Sequence, residues 1–367
     1  MGRSLRVSPG CIEQVKSAVR RNRFPNQNAL AQEVGLSPST VKSFLRGNPV
    51  DFLNFVEISE KLGLDWQTIA DIEVTHSQSP QPISPQTCEE TSPFITGNPI
   101  THPRYFFGRQ KELKRLFDLL KRRPLQNAAI IGKRRSGKTS LLHYLKNITT
   151  TPTEQLRPGQ KSDWLGHPEN YRWIFVDFQD SRLQNREGLL RYILESLKMS
   201  VPNPCDLDRF MDAVSSNLRQ PTVILLDEIG AGLQRCPDLD DGFWESLRSL
   251  ATNQTNGNLG FVLATPESPI ELAHSTGHSS PFFNIFGYTA NLGALTEAEA
   301  RELIASSPMP FPDGDVEWIL TQSERWPLLL QILCRECLFS LEHEELDDWQ
   351  AEGLRQIEPF RDLLDDK

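Results

Sequence analysis

The residues Gly132 to Thr139 read GKRRSGKT and fill every fixed position of the pattern G-x-x-x-x-G-K-[ST]. That spacing suits one chemistry. Gly132 and Gly137 let the backbone wrap closely, so that successive N–H groups across Lys133, Arg134, Arg135 and Ser136 face phosphate oxygens. Lys138 then reaches the β and γ phosphates, the Thr139 hydroxyl ligates Mg²⁺, and Ser140 continues the helix behind the loop. A second segment, TVILLDE, ends an apolar run in Asp227 and Glu228. Asp227 is placed to hold the metal, directly or through water, and Glu228 to polarise an attacking water. A third run, GFVLAT, ends in Thr265, whose hydroxyl is expected at the edge of the γ-phosphate site. Charge developing on that phosphate needs a cation, for which Arg248, Arg134 and Arg135 are candidates.

Elements must bring these segments together. Four short apolar runs, AAIIG (128–132), WIFVDF (173–178), TVILLD (222–227) and GFVLAT (260–265), alternate with helical stretches. Such alternation predicts βαβ units and a parallel sheet. The phosphate-binding pattern follows the first run and precedes the amphipathic SLLHYLKN, a strand–loop–helix context. After about Leu295 only helical patterns remain, which predicts a helical lid. The polar stretch 148–170 is expected to be an exposed loop.

The N-terminal region carries different chemistry. Asn26 is able to cap a helix bearing Leu30, Ala31 and Val34 inward, Gly35 supplies a turn, and Leu36 packs inward. Ser37 caps the next helix with Pro38 at its first position. Val41, Phe44 and Leu45 form that helix's apolar side, and Ser39, Thr40, Lys42, Ser43 and Arg46 its polar side. Short hydrogen-bonding groups with two cations suit a helix laid in the major groove of double-stranded DNA.

Residues 8–72, and above all A-x-x-x-G-L-S-x-x-T-V at Ala31 to Val41, resemble the phage-repressor type of helix-turn-helix. The resemblance implies that Gln27 touches phosphate or a base edge and that Ser39, Thr40, Lys42 and Ser43 face bases. Residues 103–340 resemble the archaeal and bacterial signal-transducing ATPases, the STAND branch of the AAA+-like P-loop proteins, related in architecture to replication-origin ATPases. FGR at Phe107 to Arg109, the P-loop, VILLDE, LTEAEARELI and ERWPLLLQILCREC carry the likeness. It implies ATP as the nucleotide, Gly108 and Arg109 near adenine and ribose, and Pro327 against the base. The group usually has Gly two residues before that Pro; Arg325 stands there, with a phosphate as its alternative partner.

The expected architecture is thus an α/β P-loop NTPase core, a parallel sheet flanked by helices, with a C-terminal helical lid and an all-α N-terminal helix-turn-helix domain. The boundaries read 1–72 for the helix-turn-helix, 73–102 for a Pro/Ser/Thr-rich linker, 103–294 for the core, and 295–367 for the lid and an acidic tail. Lys+Arg and Asp+Glu number 39 and 48, a net charge of −9. The distribution is uneven: residues 104–147 hold thirteen Lys/Arg against Glu112 and Asp118. That excess invites phosphate ligands, although helices on P-loop cores are often basic toward solvent. Cys334 and Cys337 form CxxC without a second ligand pair, and their helix LLLQILCRECLFSL reads as buried core. No run approaches the ~20 apolar residues of a membrane span, and the N-terminus lacks an apolar leader, so a cytoplasmic location is expected.

Two functions from different classes fit. One is an ATP-driven switch that assembles as a homo-oligomer and is addressed to DNA or to an effector protein by its N-terminal domain. It would serve in regulation, conflict and defence, or transposition-type DNA transactions. The sequence extends about 30 residues beyond Cys337, which leaves output to the N-terminal domain, the assembly or another protein. The other is a transcriptional repressor or adaptor whose nucleotide-bound domain is a non-hydrolysing scaffold.

Overall fold

A computed structural model of the chain describes residues 4–8, 11–21, 30–31, 38–48, 50–62, 64, 69, 93–343 and 348–364. They belong to two compact units, Met1–Thr87 and Cys88–Lys367.

The smaller unit holds β1 (Ser4–Leu5), α1 (Ile12–Arg21), α2 (Pro38–Leu45), β2 (Val50–Asp51) and α3 (Phe52–Lys61). Val15, Val41, Phe44, Phe55 and Ile58 are buried in one cluster, and Phe44 meets Phe55 edge-on at 4.9 Å. The expectation of an all-α unit needs one correction, because β1 and β2 pair antiparallel. The β-branched Val50 is buried there, and the bridge satisfies backbone groups between α2 and α3. Gln27 and Ser37 lie outside the described residues, as do Asn26, Val34, Gly35 and Leu36.

In the larger unit five strands, β3 (Ala128–Ile131), β4 (Arg172–Asp177), β5 (Thr222–Asp227), β6 (Leu259–Thr265) and β7 (Tyr288–Asn291), form one parallel sheet in the order β4-β5-β6-β3-β7. Helices connect and follow them: α4 (Gln110–Leu120), α5 (Lys138–Asn147), α6 (Arg186–Ser196), α7 (Leu207–Asn217), α8 (Ile229–Arg235), α9 (Asp241–Ser249), α10 (Pro269–Ser275), α11 (Glu297–Ile304), α12 (Asp313–Ser323), α13 (Pro327–His343) and α14 (Trp349–Ile357). Every residue of β5 and β6 is buried, as a strand covered on both faces requires. Alternation along β5 divides the core. Val223 and Leu225 pack with Leu141 and Leu145 of α5, whereas Ile224 and Leu226 pack with Ile229, Phe243 and Trp244. The edge strand β7 was not foreseen: only Ala290 of its four residues is buried, so it carries no apolar run.

Two further expectations are corrected. The end of the predicted linker, 93–102, is packed: Phe94 is buried with α11–α13, and the Ile95 and Ile100 N–H groups donate to Gln331 Oε1 and Ser140 Oγ at 2.8 and 3.0 Å. The stretch 148–170 is no simple exposed loop. Leu156, Trp164 and Leu165 are buried, and Trp164 stacks on Phe117 at 5.1 Å. Its Arg157 donates to the Phe106 carbonyl at 2.7 Å, pairs with Glu302 at 3.0 Å, and lies 4.1 Å over the Phe107 ring.

Candidate nucleotide site

The loop 132–137 joins the carboxyl end of β3 to α5. Its two glycines are needed for different reasons. A Cβ on Gly132 would sit 2.5 Å from Ser136 Oγ and 2.9 Å from the Leu292 carbonyl, so there is no room for one. A Cβ on Gly137 would meet nothing, but its φ of +95° is a conformation that side chains resist. Lys138 folds back across the loop and donates to the Gly132 and Lys133 carbonyls at 2.8 and 3.0 Å. Burial lowers its pKa, against the opposing pull of Glu228 and Asp227.

The parallel register sets Asp177 beside Asp227 at the ends of β4 and β5. Asp227 is 3% exposed, and burial raises its pKa to about 6 even though Thr139 hydrogen-bonds to it. Glu228 follows in a left-handed conformation, φ 50°, which turns it out of the strand at the start of α8, where it is exposed. Asp177 was missed in the sequence. Its signal was present, since WIFVD and VILLD end in the same residue.

One cavity of about 330 Å³ gathers these groups. Its polar end is lined by Arg134, Arg135, Ser136, Gly137, Lys138, Thr139, Ser140, Asp177, Asp227 and Glu228, and its apolar end by Phe106, Phe107, Leu295, Leu303, Pro327 and Leu328. Two buried polar atoms in the lining have no partner, Ser136 Oγ and Asp227 Oδ1, and Thr265 Oγ1, outside the lining, has none either. Thr265 is anchored beside the loop, its carbonyl accepting from the Gly132 N–H at 3.2 Å. Orphaned polar atoms of this kind are rare in folded proteins and fit a site that completes its bonds on a ligand. A carboxylate beside a hydroxyl, with free oxygen lone pairs, is also a donor set for Mg²⁺.

Other predicted residues are placed differently. Gly108, at φ 75°, has no room for a side chain: a Cβ there would sit 2.9 Å from Leu295 and 3.0 Å from Glu299. The Arg109 guanidinium donates to the Gly293 and Ala294 carbonyls, and burial lowers its pKa; it lines the cavity while bracing the approach to α11. Lys133 turns to the C-terminal segment, donating to the Asp362 and Leu363 carbonyls at 3.3 and 3.4 Å, and Arg135 lies 5.0 Å over Phe360. Arg248 and Arg325 are not among the lining residues. Arg325 instead adopts φ 65°, and its carbonyl accepts from the Leu295 N–H at 2.9 Å. A glycine would suit that left-handed turn better than an arginine does.

The segment 95–100 lines the same cavity. Besides the bonds to Gln331 and Ser140, Arg335 donates to Thr96 Oγ1 at 2.6 Å and Asn147 to the Thr101 carbonyl at 2.8 Å. This strap therefore bonds α13 on one side and α5 on the other. Local sequence gave no hint, because its partners lie far along the chain.

In the smaller unit, Lys42 and Arg46 are exposed, and Thr40 and Ser43 half-buried, on the polar side of α2. Ser39 lies in the same helix. Cys334 and Cys337 are buried free thiols on α13, and burial pushes Cys337 up to about 12. Among the described residues no helix is long and apolar enough to cross a membrane.

No protein-family model and no curated protein matches the chain. Solved structures do. A Walker-type ATPase of Pyrococcus abyssi superposes with a TM-score of 0.51 at 16% identity, over 73% of this chain and 77% of that one. The Aeropyrum pernix ORC2 protein, solved in ADPNP and ADP complexes, gives 0.51 at 13% identity, over 72% of each chain. At such identities the likeness shows the fold alone: the larger unit shares the α/β fold of these two proteins.

Proposed function

We propose that the protein is an ATP-binding and ATP-hydrolysing switch of the STAND type, coupled to DNA through its N-terminal helix-turn-helix. The observation that carries the reading is the cavity in which Lys138, Thr139, Asp227 and Glu228 converge, with buried polar atoms left unbonded at its loop end. The amides of 133–137 and the Lys138 ammonium bind the phosphates. Lys138, which donates to two loop carbonyls, exchanges them for phosphate oxygens. Thr139 and Asp227 would hold Mg²⁺, which would neutralise phosphate charge. Glu228 accepts a proton from the attacking water, Thr265 bonds the γ-phosphate, and Arg134 or Arg135 is the nearby cation. Phe107, Leu295 and Pro327 take the base.

The strap supports coupling. It touches the P-loop helix and α13 at once and leads by sequence to the helix-turn-helix, where Gln27, Ser37, Ser39, Thr40, Lys42, Ser43 and Arg46 contact duplex DNA. Closing α13 on nucleotide shifts the strap's two anchors together. The active state is a homo-oligomer, and an effector protein reads it.

Light scattering behind size exclusion on Glu228→Gln tests this. ATP–Mg²⁺ should give a higher-order species that ADP does not, with duplex affinity differing between the two. A monomer in both states with identical duplex affinity sinks the switch and leaves a nucleotide-stabilised repressor or adaptor.

A further inference from the structure

Because all five strands are parallel, the two ends of the sheet differ chemically. Gly132, Asp177, Asp227 and Thr265 stand at or just past carboxyl ends. The opposite pole is made of turns that enter the amino ends: 121–127 into β3, 166–171 into β4 and 218–221 into β5. Two clefts open there and share Arg219 and Gln220. Together they are lined by Lys121, Arg123, Arg172, Lys198 and Arg219, with His167 beside them, and by no aspartate or glutamate. The five cations come from four separate stretches of a chain whose net charge is −9. Only the fold assembles them.

The cations are held by neutral groups. Arg219 donates to the Ser216 and Leu218 carbonyls at 2.6 and 3.1 Å, Arg123 to the Arg122 carbonyl at 2.9 Å, and Arg172 to Gln220 at 2.8 Å. A guanidinium has five N–H donors, so each keeps some for a ligand. Two carboxylates lie outside the linings: Asp118 at 3.4 Å from Lys121 and Glu169 at 3.1 Å from His167. Both pairs are solvent-exposed, where an ion pair holds weakly. The linings hold no Phe or Trp; their Tyr171 lies under Arg123 at 5.4 Å and against Trp173 at 6.4 Å. A ring already shared with an arginine is a poor platform for unpaired bases.

We propose that this pole is a second nucleic-acid surface, one that takes the sugar–phosphate backbone of a duplex without reading its sequence. Duplex phosphates face outward and need cations alone, whereas a single strand needs stacking platforms as well. The inference stands apart from the nucleotide site and from the helix-turn-helix.

Anisotropy of a labelled duplex of about 30 base pairs, with the full chain, tests it. The Lys42→Ala/Arg46→Ala protein should keep duplex binding that falls steeply with salt. Adding Arg123→Glu and Arg219→Glu should lower the remaining affinity at least tenfold at low salt, and flatten the log–log salt slope by about 2. Lys198→Glu alone, a single exposed change, should cost about threefold, and keeps the test open should the quadruple variant fail to fold. A single strand of equal length should bind more weakly. Loss of all binding with Lys42→Ala/Arg46→Ala, indifference to the reversals, or preference for the single strand would each overturn the proposal. Survival of reversal-sensitive binding in a chain whose Lys42 and Arg46 prove irrelevant would uphold it and remove the helix-turn-helix from DNA contact instead.

Discussion

The two ends of the sheet use the same kinds of side chain in opposite states. At the carboxyl ends Lys138 is bent onto its own loop, and Ser136, Asp227 and Thr265 are buried with polar atoms unpartnered. At the amino ends Lys121, Arg123, Lys198 and Arg219 stand in solvent. A buried polar group without a partner is costly until a ligand completes it, so its removal acts all-or-none. An exposed cation loses little when unbound and contributes a small, salt-screened increment when bound. The difference teaches where to expect switching and where only adhesion.

Substitutions at the carboxyl end should therefore have the largest effects. Glu228→Gln should reduce steady-state hydrolysis on the order of 10³-fold while leaving ATP affinity within a few-fold, because only proton acceptance is lost. Normal turnover would assign the base elsewhere, with Asp177 the next carboxylate in the cavity. Next comes Lys138→Ala. A charged hydrogen bond to phosphate contributes roughly 3 kcal/mol, so titration calorimetry should register about a hundredfold loss of ATP affinity. A loss under threefold would mean that Lys138 keeps its loop carbonyls when nucleotide binds.

Asp227 links burial to pH. Its folded pKa of about 6 exceeds the ordinary 3.8, so the folded state binds more protons between those values. Stability is full below pH 3.8 and falls as pH rises through 6. At pH 7.5 the buried charge costs about 3 kcal/mol in nucleotide-free protein. Asp227→Asn should raise the nucleotide-free Tm by roughly 5 °C at pH 7.5 and hardly at all at pH 4. An equal gain at both pH values would show packing, not charge, to be responsible.

The sequence made the carboxyl end far more legible than the amino end. Gly132, Gly137, Lys138 and Thr139 are fixed by spacing, and the runs ending in Asp227 and Thr265 are continuous because both faces of their strands are covered. β7 escaped because an edge strand with one buried residue has no periodic apolar signal. The strap escaped because Pro and Thr report only an extended chain, while Gln331, Arg335 and Ser140 hold it from afar. Arg325 stands outside the cavity lining, and its left-handed φ of 65° could not be read from residue type. The basic pole was half visible. Lys121 and Arg123 belong to the +11 block at 104–147, but that block divides between the two ends of the sheet, and Arg172, Lys198 and Arg219 join only in three dimensions.

The smallest effects belong at that pole, and they make the comparison sharpest. Arg123→Ala with Arg219→Ala removes two exposed guanidinia that donate mostly to backbone carbonyls near them in sequence. The Leu120 carbonyl keeps its bond from the Tyr171 hydroxyl, so Tm should move by only a degree or two. ATP affinity and turnover should stay within twofold, since neither residue lines the nucleotide cavity. Duplex affinity at low salt should fall about fivefold, and the deficit should shrink at 200 mM salt as counterions screen the lost contacts. A salt-independent deficit, or a Tm loss like that of a core change, would show that the guanidinia brace the turns into β3 and β5. The two poles would then differ in position alone and not in kind.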